Sequence, residues 1–255
     1  MDTTDVIVAP QLERQLDDLA RRYRRAGNPG LQLLVMLGGQ AENLLERLPD
    51  SAKGRLEEAT LRALQIATDA AAGSRAGAVP DGPDWAHALA TTAMGAAGGM
   101  GGLPTALAEL PVTTTTLLRA IQSIAAQHGF DTDDPDIRAA CLQVFAAAGP
   151  LAEDDGADMG FLAVRVTLTG PATQTLLTRI APKLAAALGK KLAAQTVPVI
   201  GAAAGAAANL AFTRYYQEIA HVSFGLKALA RDTGQPEALL TDALRSRMAP
   251  VGIKR

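Results

Sequence analysis

Cysteine, aromatic side chains and a surplus of either charge are what this sequence lacks. Cys141 is the single cysteine in 255 residues. One thiol cannot close an internal disulfide, which favours a reducing compartment. Its run, Ile137-Arg138-Ala139-Ala140-Cys141-Leu142-Gln143-Val144-Phe145, is amphipathic at helical spacing, so the thiol reads as a small core residue rather than a nucleophile. Aromatics make up 4% of the chain and hydrophobic residues 48%. The apolar content is therefore mostly Ala, Leu and Val, and Ala loses no side-chain entropy on becoming helical. Lys and Arg number 24 against 26 Asp and Glu, a net charge of -2, so there is no basic surplus to meet a nucleic acid. The opening MDTTDVIVAP has two acids and only a short apolar patch, unlike a signal peptide. A soluble cytoplasmic protein is expected, with room for a peripheral contact at the inner face of the membrane.

Standard catalytic motifs are missing as well. Gly189-Lys190-Lys191 lacks the upstream glycine of a P-loop, and Gly99-Met100-Gly101-Gly102-Leu103-Pro104 does not complete a dinucleotide fingerprint and follows no strand. There is no G-x-S-x-G elbow and no cysteine pair for zinc. No residue pattern nominates an enzyme, a cofactor or a metal.

What is present is helical text. Residues 10–73 are charge-rich, with Leu12, Leu16 and Leu19, then Leu56, Leu61 and Leu64, near helical spacing. Asn28-Pro29-Gly30 and Leu48-Pro49-Asp50-Ser51 punctuate them. Residues 74–84 are rich in Gly and Pro and read as a linker. The expected organisation is an N-terminal helical segment (1–73) packed on a helical core (85–255). Within the core, a helix is predicted from Pro111 to a C′ glycine at Gly129. Asp131-Thr132-Asp133-Asp134-Pro135 should cap the Cys141 helix. A long helix is predicted over residues 199–232, separated by Gly234-Gln235-Pro236 from a short terminal one. Val164-Arg165-Val166-Thr167-Leu168-Thr169 alternates like a strand, but one strand has nothing to pair with, so it reads as a helix end or loop. The expected class is all-α, a multi-helix bundle.

Small residues mark where its helices cross. On the long helix, Gly201, Gly205, Ala208, Phe212, Tyr215, Ile219, Val222 and Leu226 step by fours and threes and form a seam. Gly201 and Gly205 permit close backbone approach, and Gly95 and Gly99, with Gly98 and Gly102, offer a second such face. Both pairs lie in charge-free runs long enough to cross ~30 Å of hydrocarbon. Those runs are Ala and Gly rather than Leu and Ile, and they contain Pro104, Pro198 and Asn209. Buried helix crossings are therefore the favoured reading, ahead of membrane contact or an apolar ligand space.

Isolated charges in apolar text need partners or water. Arg119 stands with Thr115 and Thr116 one turn before it, a group able to hold a carboxylate or phosphate; a structural hydrogen-bond cluster at a helix start accounts for the same residues. Glu109 is the other ionised group of that region. On the long helix Arg214, Glu218 and His221 share a face. Glu218-x-x-His221 and the poorer Asp84-x-x-His87 copy half of a di-iron motif, which needs carboxylates from two further helices. With three histidines in the chain, a salt bridge is the plainer reading.

Two stretches in order resemble the EcsC family: Glu109-Leu110-Pro111-Val112-Thr113-Thr114-Thr115-Thr116-Leu117-Leu118-Arg119 with Gln127-His128-Gly129-Phe130-Asp131, and Val197-Pro198-Val199-Ile200-Gly201-Ala202-Ala203-Ala204-Gly205 through Asn209, Phe212, Arg214 and Tyr215. The resemblance covers roughly residues 94–234. It implies a bacterial protein associated with membranes or lipids through the neighbouring ABC transporter that gives the family its context. The first motif departs mildly, carrying Glu109 where Asp is common. The leading expectation is a lipid- or fatty-acid-binding protein, with Arg119 or Arg214 meeting an acidic headgroup and Thr115, Thr116, Glu109 and Asn209 beside it. A peripheral adaptor for an ABC transporter or secretion comes second, using the glycine segments as surfaces. A hydrolase using Glu109, Glu218 or His221 comes third.

Overall fold

A computed structural model describes residues 3–26, 54, 58, 60–65, 83–99, 102–146, 175, 177–178, 181–182 and 198–248. Among these the protein is all-α, with no strand. The helices are α1 (Thr3–Ala26), α2 (Asp84–Gly99), α3 (Gly102–Gln127), α4 (Pro135–Ala146), α5 (Pro198–Thr233) and α6 (Glu237–Met248). The strand-like segment at 164–169, the acidic stretch at 149–159 and most of the linker lie outside the described residues. Asp84, assigned to the linker by sequence, is already the first residue of α2.

Local chemistry sets the helix ends. α3 closes in a Schellman arrangement: Gly129 N–H donates to the Ala126 carbonyl at 2.9 Å and Phe130 N–H to the Ala125 carbonyl at 3.1 Å. Gly129 has φ +78°, a conformation that is inexpensive only without a Cβ. The acidic turn then caps α4. Asp134 Oδ1 accepts from Asp136 N–H at 2.8 Å, and Pro135 fills the first helical position, where its missing N–H is not needed. α5 ends at a second left-handed glycine, Gly234, with φ +68°.

A second boundary differs from the sequence expectation. α3 begins at Gly102 and runs through Pro111. Pro111 forgoes the bond to the Leu107 carbonyl, and the Ala/Leu-rich turn before it, with Leu117, Leu118 and Ala120 beyond the threonine run, carries the helix on.

α5 is the hub. The sequence pattern suggested one seam; instead α1, α2, α3, α4 and α6 all pack against it. Leu117, Ile121 and Ile124 of α3 and Leu142 and Phe145 of α4 join Phe212, Tyr216, Ile219 and Phe224 in the main core. Phe145 stacks on Tyr216 with ring centroids 5.0 Å apart. Cys141 is in this core, and burial pushes its thiol pKa up, which suits packing rather than reactivity. A second core joins Leu16 and Leu19 of α1 to Val222, Leu226 and Leu229 of α5 and Leu240 and Leu244 of α6.

Candidate active site

The face of α5 turned to α2 is polar. Asn209, Thr213, Gln217 and His221 recur every four residues, so they stack along one side of the helix. α2 answers with Asp84 and Thr91. Asn209 Nδ2 donates to the Thr91 carbonyl at 2.7 Å, and the Thr91 and Thr213 hydroxyls lie 2.7 Å apart. Two turns on, Gln217 Nε2 donates to the Asp84 carbonyl at 2.7 Å. His221 Nε2 lies 3.0 Å from Asp84 Oδ2. From there the chain of bonds leaves α2: His221 Nδ1 lies 3.2 Å from His128 Nε2, the two rings edge to face.

His128 is delivered by the Schellman turn, being the last residue before the left-handed glycine. Arg231 fastens that turn to α5. Its Nη1 donates to the carbonyls of His128 at 3.3 Å and Gly129 at 3.4 Å, and its guanidinium carbon sits 5.0 Å over the Phe130 ring. Gln127 Nε2 donates to Asp84 Oδ1 at 3.1 Å, so the turn is also tied to the start of α2.

The electrostatics order the chain. Burial alone would raise the Asp84 carboxyl, but hydrogen bonds from His221 and Gln127 and the charges of His221 and His87 outweigh it and hold it below 3.8. Its place in the first turn of α2 favours the anion further. Burial, then the positive charges of His221, Arg22 and Arg231, push His128 down from 6.5 to about 4. An ionised Asp84 can only accept, so His221 donates from Nε2. When His221 is neutral its Nδ1 accepts, His128 donates from Nε2, and the lone pair of His128 is left on Nδ1.

His128 also lines a cleft of about 480 Å³ between α1, α5 and the α3–α4 turn. Gln15, Asp18 and Leu19 come from α1, Gln127 and Gly129 from the turn, and Gly225, Ala228, Leu229, Arg231 and Asp232 from α5. Both acids have arginine partners: Asp18 pairs with Arg21, and Asp232 with Arg231 Nε at 2.8 Å. Gly225 lets α1 come close, since a Cβ there would stand 2.7 Å from Leu19 Cδ2.

The residues nominated by sequence fall elsewhere. Arg119 is half-buried on α3, and Arg214 is exposed on α5; neither lines the cleft. The Thr116 hydroxyl donates to the Val112 carbonyl at 2.8 Å, and Thr115 is half-buried one turn before Arg119. Glu109 is on α3, its side chain outside the described residues. Asn209 belongs to the buried α2–α5 ladder. Gly95 is buried on α2, and Gly99 is its last residue; Gly201 and Gly205 are in the first turns of α5. Glu218 pairs with Arg22 of α1 at 3.1 Å. The half-motif residues Asp84 and His221 do meet, but with each other. Among the described residues no group of His, Cys, Asp and Glu is placed to hold a metal ion.

Sequence reasoning missed His128, Arg231 and Gly225. The legible signal was Gly225, a glycine deep inside a long helix, where its entropy cost asks for a packing reason.

An all-α protein with a titratable chain ending at a cleft is the class that fold and geometry define. The family model of the EcsC protein family matches residues 83–229, more than half of the chain, and the protein belongs to that family. No curated protein and no solved structure matches the chain. Asp84, His128 and His221 lie inside the matched span; Leu19 and Arg231, which complete the cleft, lie outside it.

Proposed function

We propose that the protein binds a small amphiphile, a fatty acid or lipid-derived carboxylate or ester, in the cleft between α1, α5 and the α3–α4 turn. The supporting observation is the mixed wall of that cleft: Leu19, Ala228 and Leu229 supply apolar surface, while Gln15, Gln127, His128 and Arg231 supply hydrogen-bonding groups. Its volume falls within the ~300–1,000 Å³ usual for small-molecule sites. Arg231 takes the role that the sequence gave to Arg119 or Arg214. Its Nη1 and Nε are engaged within the fold, which fixes the guanidinium and leaves Nη2 for the ligand's oxygen.

The test is titration of the full chain with the fluorescent fatty acid cis-parinarate. Saturable binding is expected, weakened about tenfold by Arg231→Met, the loss of roughly one charge-assisted hydrogen bond (about 1.4 kcal/mol). Binding that ignores Arg231 and a bulky Gly225→Leu block would overturn the site.

A second reading, contact with a membrane surface or a transporter subunit, draws on α2. Trp85 and Leu89 stand one turn apart and are 68% and 62% exposed. Trp is favoured where an apolar body meets a wet boundary. No helix among the described residues is long and apolar enough to cross a membrane, so such contact is peripheral. Flotation with anionic liposomes that survives Trp85→Glu with Leu89→Glu would remove this reading.

A further inference from the structure

The geometry points to Asp84, His221 and His128 as a proton relay that makes the cleft hydrolytic toward acyl esters, with His128 as general base. The inference rests on the cleft being a ligand site and adds what happens there. A structural cluster need not end at a cleft; this chain of bonds runs from a carboxylate at a helix start to an imidazole in the cleft wall.

Each member has one role its contacts permit. His128 Nε2 is occupied by His221, at 3.2 Å, so Nδ1 is the nitrogen left for chemistry. His221 is held between His128 and Asp84, at 3.0 Å from Oδ2, and Gln217 and Gln127 hold Asp84 in turn. His221 and Asp84 act through His128 and are positioning residues. Arg231 Nε is used by Asp232 and Nη1 by two carbonyls; Nη2 is the donor left for a developing oxyanion. The described cleft residues include no Ser, Thr, Cys or Lys, so the nucleophile is water.

The step balances with water alone. Water loses a proton to His128 Nδ1 as its oxygen bonds to the acyl carbon, and the carbonyl π pair moves onto oxygen beside Arg231. His128 passes its Nε2 proton to His221 Nδ1, placing the imidazolium against the Asp84 carboxylate. When the tetrahedral centre collapses, the ester C–O bond breaks and its electron pair leaves on the alcohol oxygen. The proton returns by the same path to that oxygen, giving an acid and an alcohol. The charged groups facing His128 are Arg231 of α5 and Arg22 of α1, with the relay's own titratable His221 beside it; Glu218 pairs with Arg22, Asp232 with Arg231, and Asp18 with Arg21. Burial first, then these two guanidiniums, keep the His128 ring neutral at neutral pH, the form in which it can take a proton.

The test uses the full chain with para-nitrophenyl butyrate and octanoate, and cis-parinarate binding measured beside it. Saturable turnover without a nitrophenolate burst is expected. His128→Gln should lower kcat at least about 100-fold, the usual share of a general base, while cis-parinarate binding weakens no more than about tenfold, as the loss of one wall contact allows. Asp84→Asn should move the acid limb of the pH–rate profile to lower pH, because the protonated His128–His221 pair loses its counter-charge; a merely structural role would leave the limb in place. Binding of cis-parinarate without saturable turnover would overturn the relay and leave the binding reading standing, whereas absence of both would overturn both. Turnover indifferent to His128→Gln, or a burst equal to the enzyme concentration, would also overturn it.

Discussion

The two ends of the α2–α5 contact use the same geometry for opposite purposes. At one end Asn209, Thr91 and Thr213 are neutral, fully buried and bonded among themselves. At the other, one to two turns away, Gln217 and His221 continue the same four-residue ladder but meet an ionised Asp84 and pass on to His128 at the cleft. Neutral groups can be sealed inside once every donor is matched. Ionised ones need either a partner network or water, and this end has both. The contrast separates what holds the helices in register from what is left to titrate.

The largest effect is expected at the sealed end. Asn209→Ala removes the buried amide that gives the Thr91 carbonyl its second hydrogen bond and leaves the space of a side chain unfilled, so it should cost about 1–3 kcal/mol in urea unfolding. Thr91→Val and Thr213→Val should each destabilise, and the double variant by about 1 kcal/mol less than their sum, since the partners vanish together. Strict additivity would mean that the 2.7 Å hydroxyl contact carries no coupling.

The open end should announce itself through pH instead. The folded pKa of His128, about 4, lies below its ordinary 6.5, so the unfolded chain binds that proton first. Stability from this group is complete above pH 6.5 and is lost as pH falls toward 4. The ring is partly open to water, and screening reduces the full linkage to about 1–2 kcal/mol. Asp84, also depressed, adds a loss in the same direction at more acidic pH. Unfolding midpoints at pH 7 and pH 4.5 should therefore differ less in His128→Gln than in the parent. An equal difference would mean that His128 is not held neutral by the fold.

Much of this was legible and some was not, for physical reasons. Helix class, the C′ glycine at Gly129, the acidic cap before Pro135 and the span of α5 follow from local rules that act within a turn or two, and they stand. The start of α3 departs from the sequence expectation because proline favours a first helical turn, while this helix carries Pro111 in its interior. The site depends on which faces meet. Glu218 and His221, three apart, looked like one motif, yet Glu218 turns to Arg22 on α1 and His221 to Asp84 on α2. In sequence, His128 stands only beside a turn, in Gln127-His128-Gly129-Phe130-Asp131. Nothing local says that the turn is pinned to α5 by Arg231, 103 residues away. Arg119 drew attention for its isolation in sequence, a property that does not place a side chain in a cleft.

Between these ends, Gly225 tests how tightly α1 is set against α5. In a free helix Gly→Ala gains about 0.8–1 kcal/mol. Here the new Cβ would meet Leu19 Cδ2 at 2.7 Å, and Leu19 is packed in the second core. Overpacking of that kind costs about 1–3 kcal/mol; Leu19 Cδ2 is the end of a flexible side chain bordering the cleft, so the low end applies and no net gain is expected. In a Leu19→Ala background the clash is gone and the same substitution should stabilise. If Gly225→Ala stabilises in both backgrounds, Leu19 has room to move and the glycine is not what allows α1 its approach.

The smallest effect is expected from the ion pair on the rim. Arg22 and Glu218 lie 3.1 Å apart with side chains 41% and 28% exposed. Water and salt screen such a pair, so Arg22→Met should cost under about 1 kcal/mol, shrinking as salt is raised. The same substitution removes one of the positive charges that hold His128 down. It should therefore raise the His128 pKa, visible as an upward shift of that ring's NMR titration midpoint, while barely moving the denaturation midpoint. A large stability loss with an unmoved titration would reverse the assignment, making Arg22 a packing residue and leaving His128 governed by burial and its nearer neighbours, His221 and Arg231.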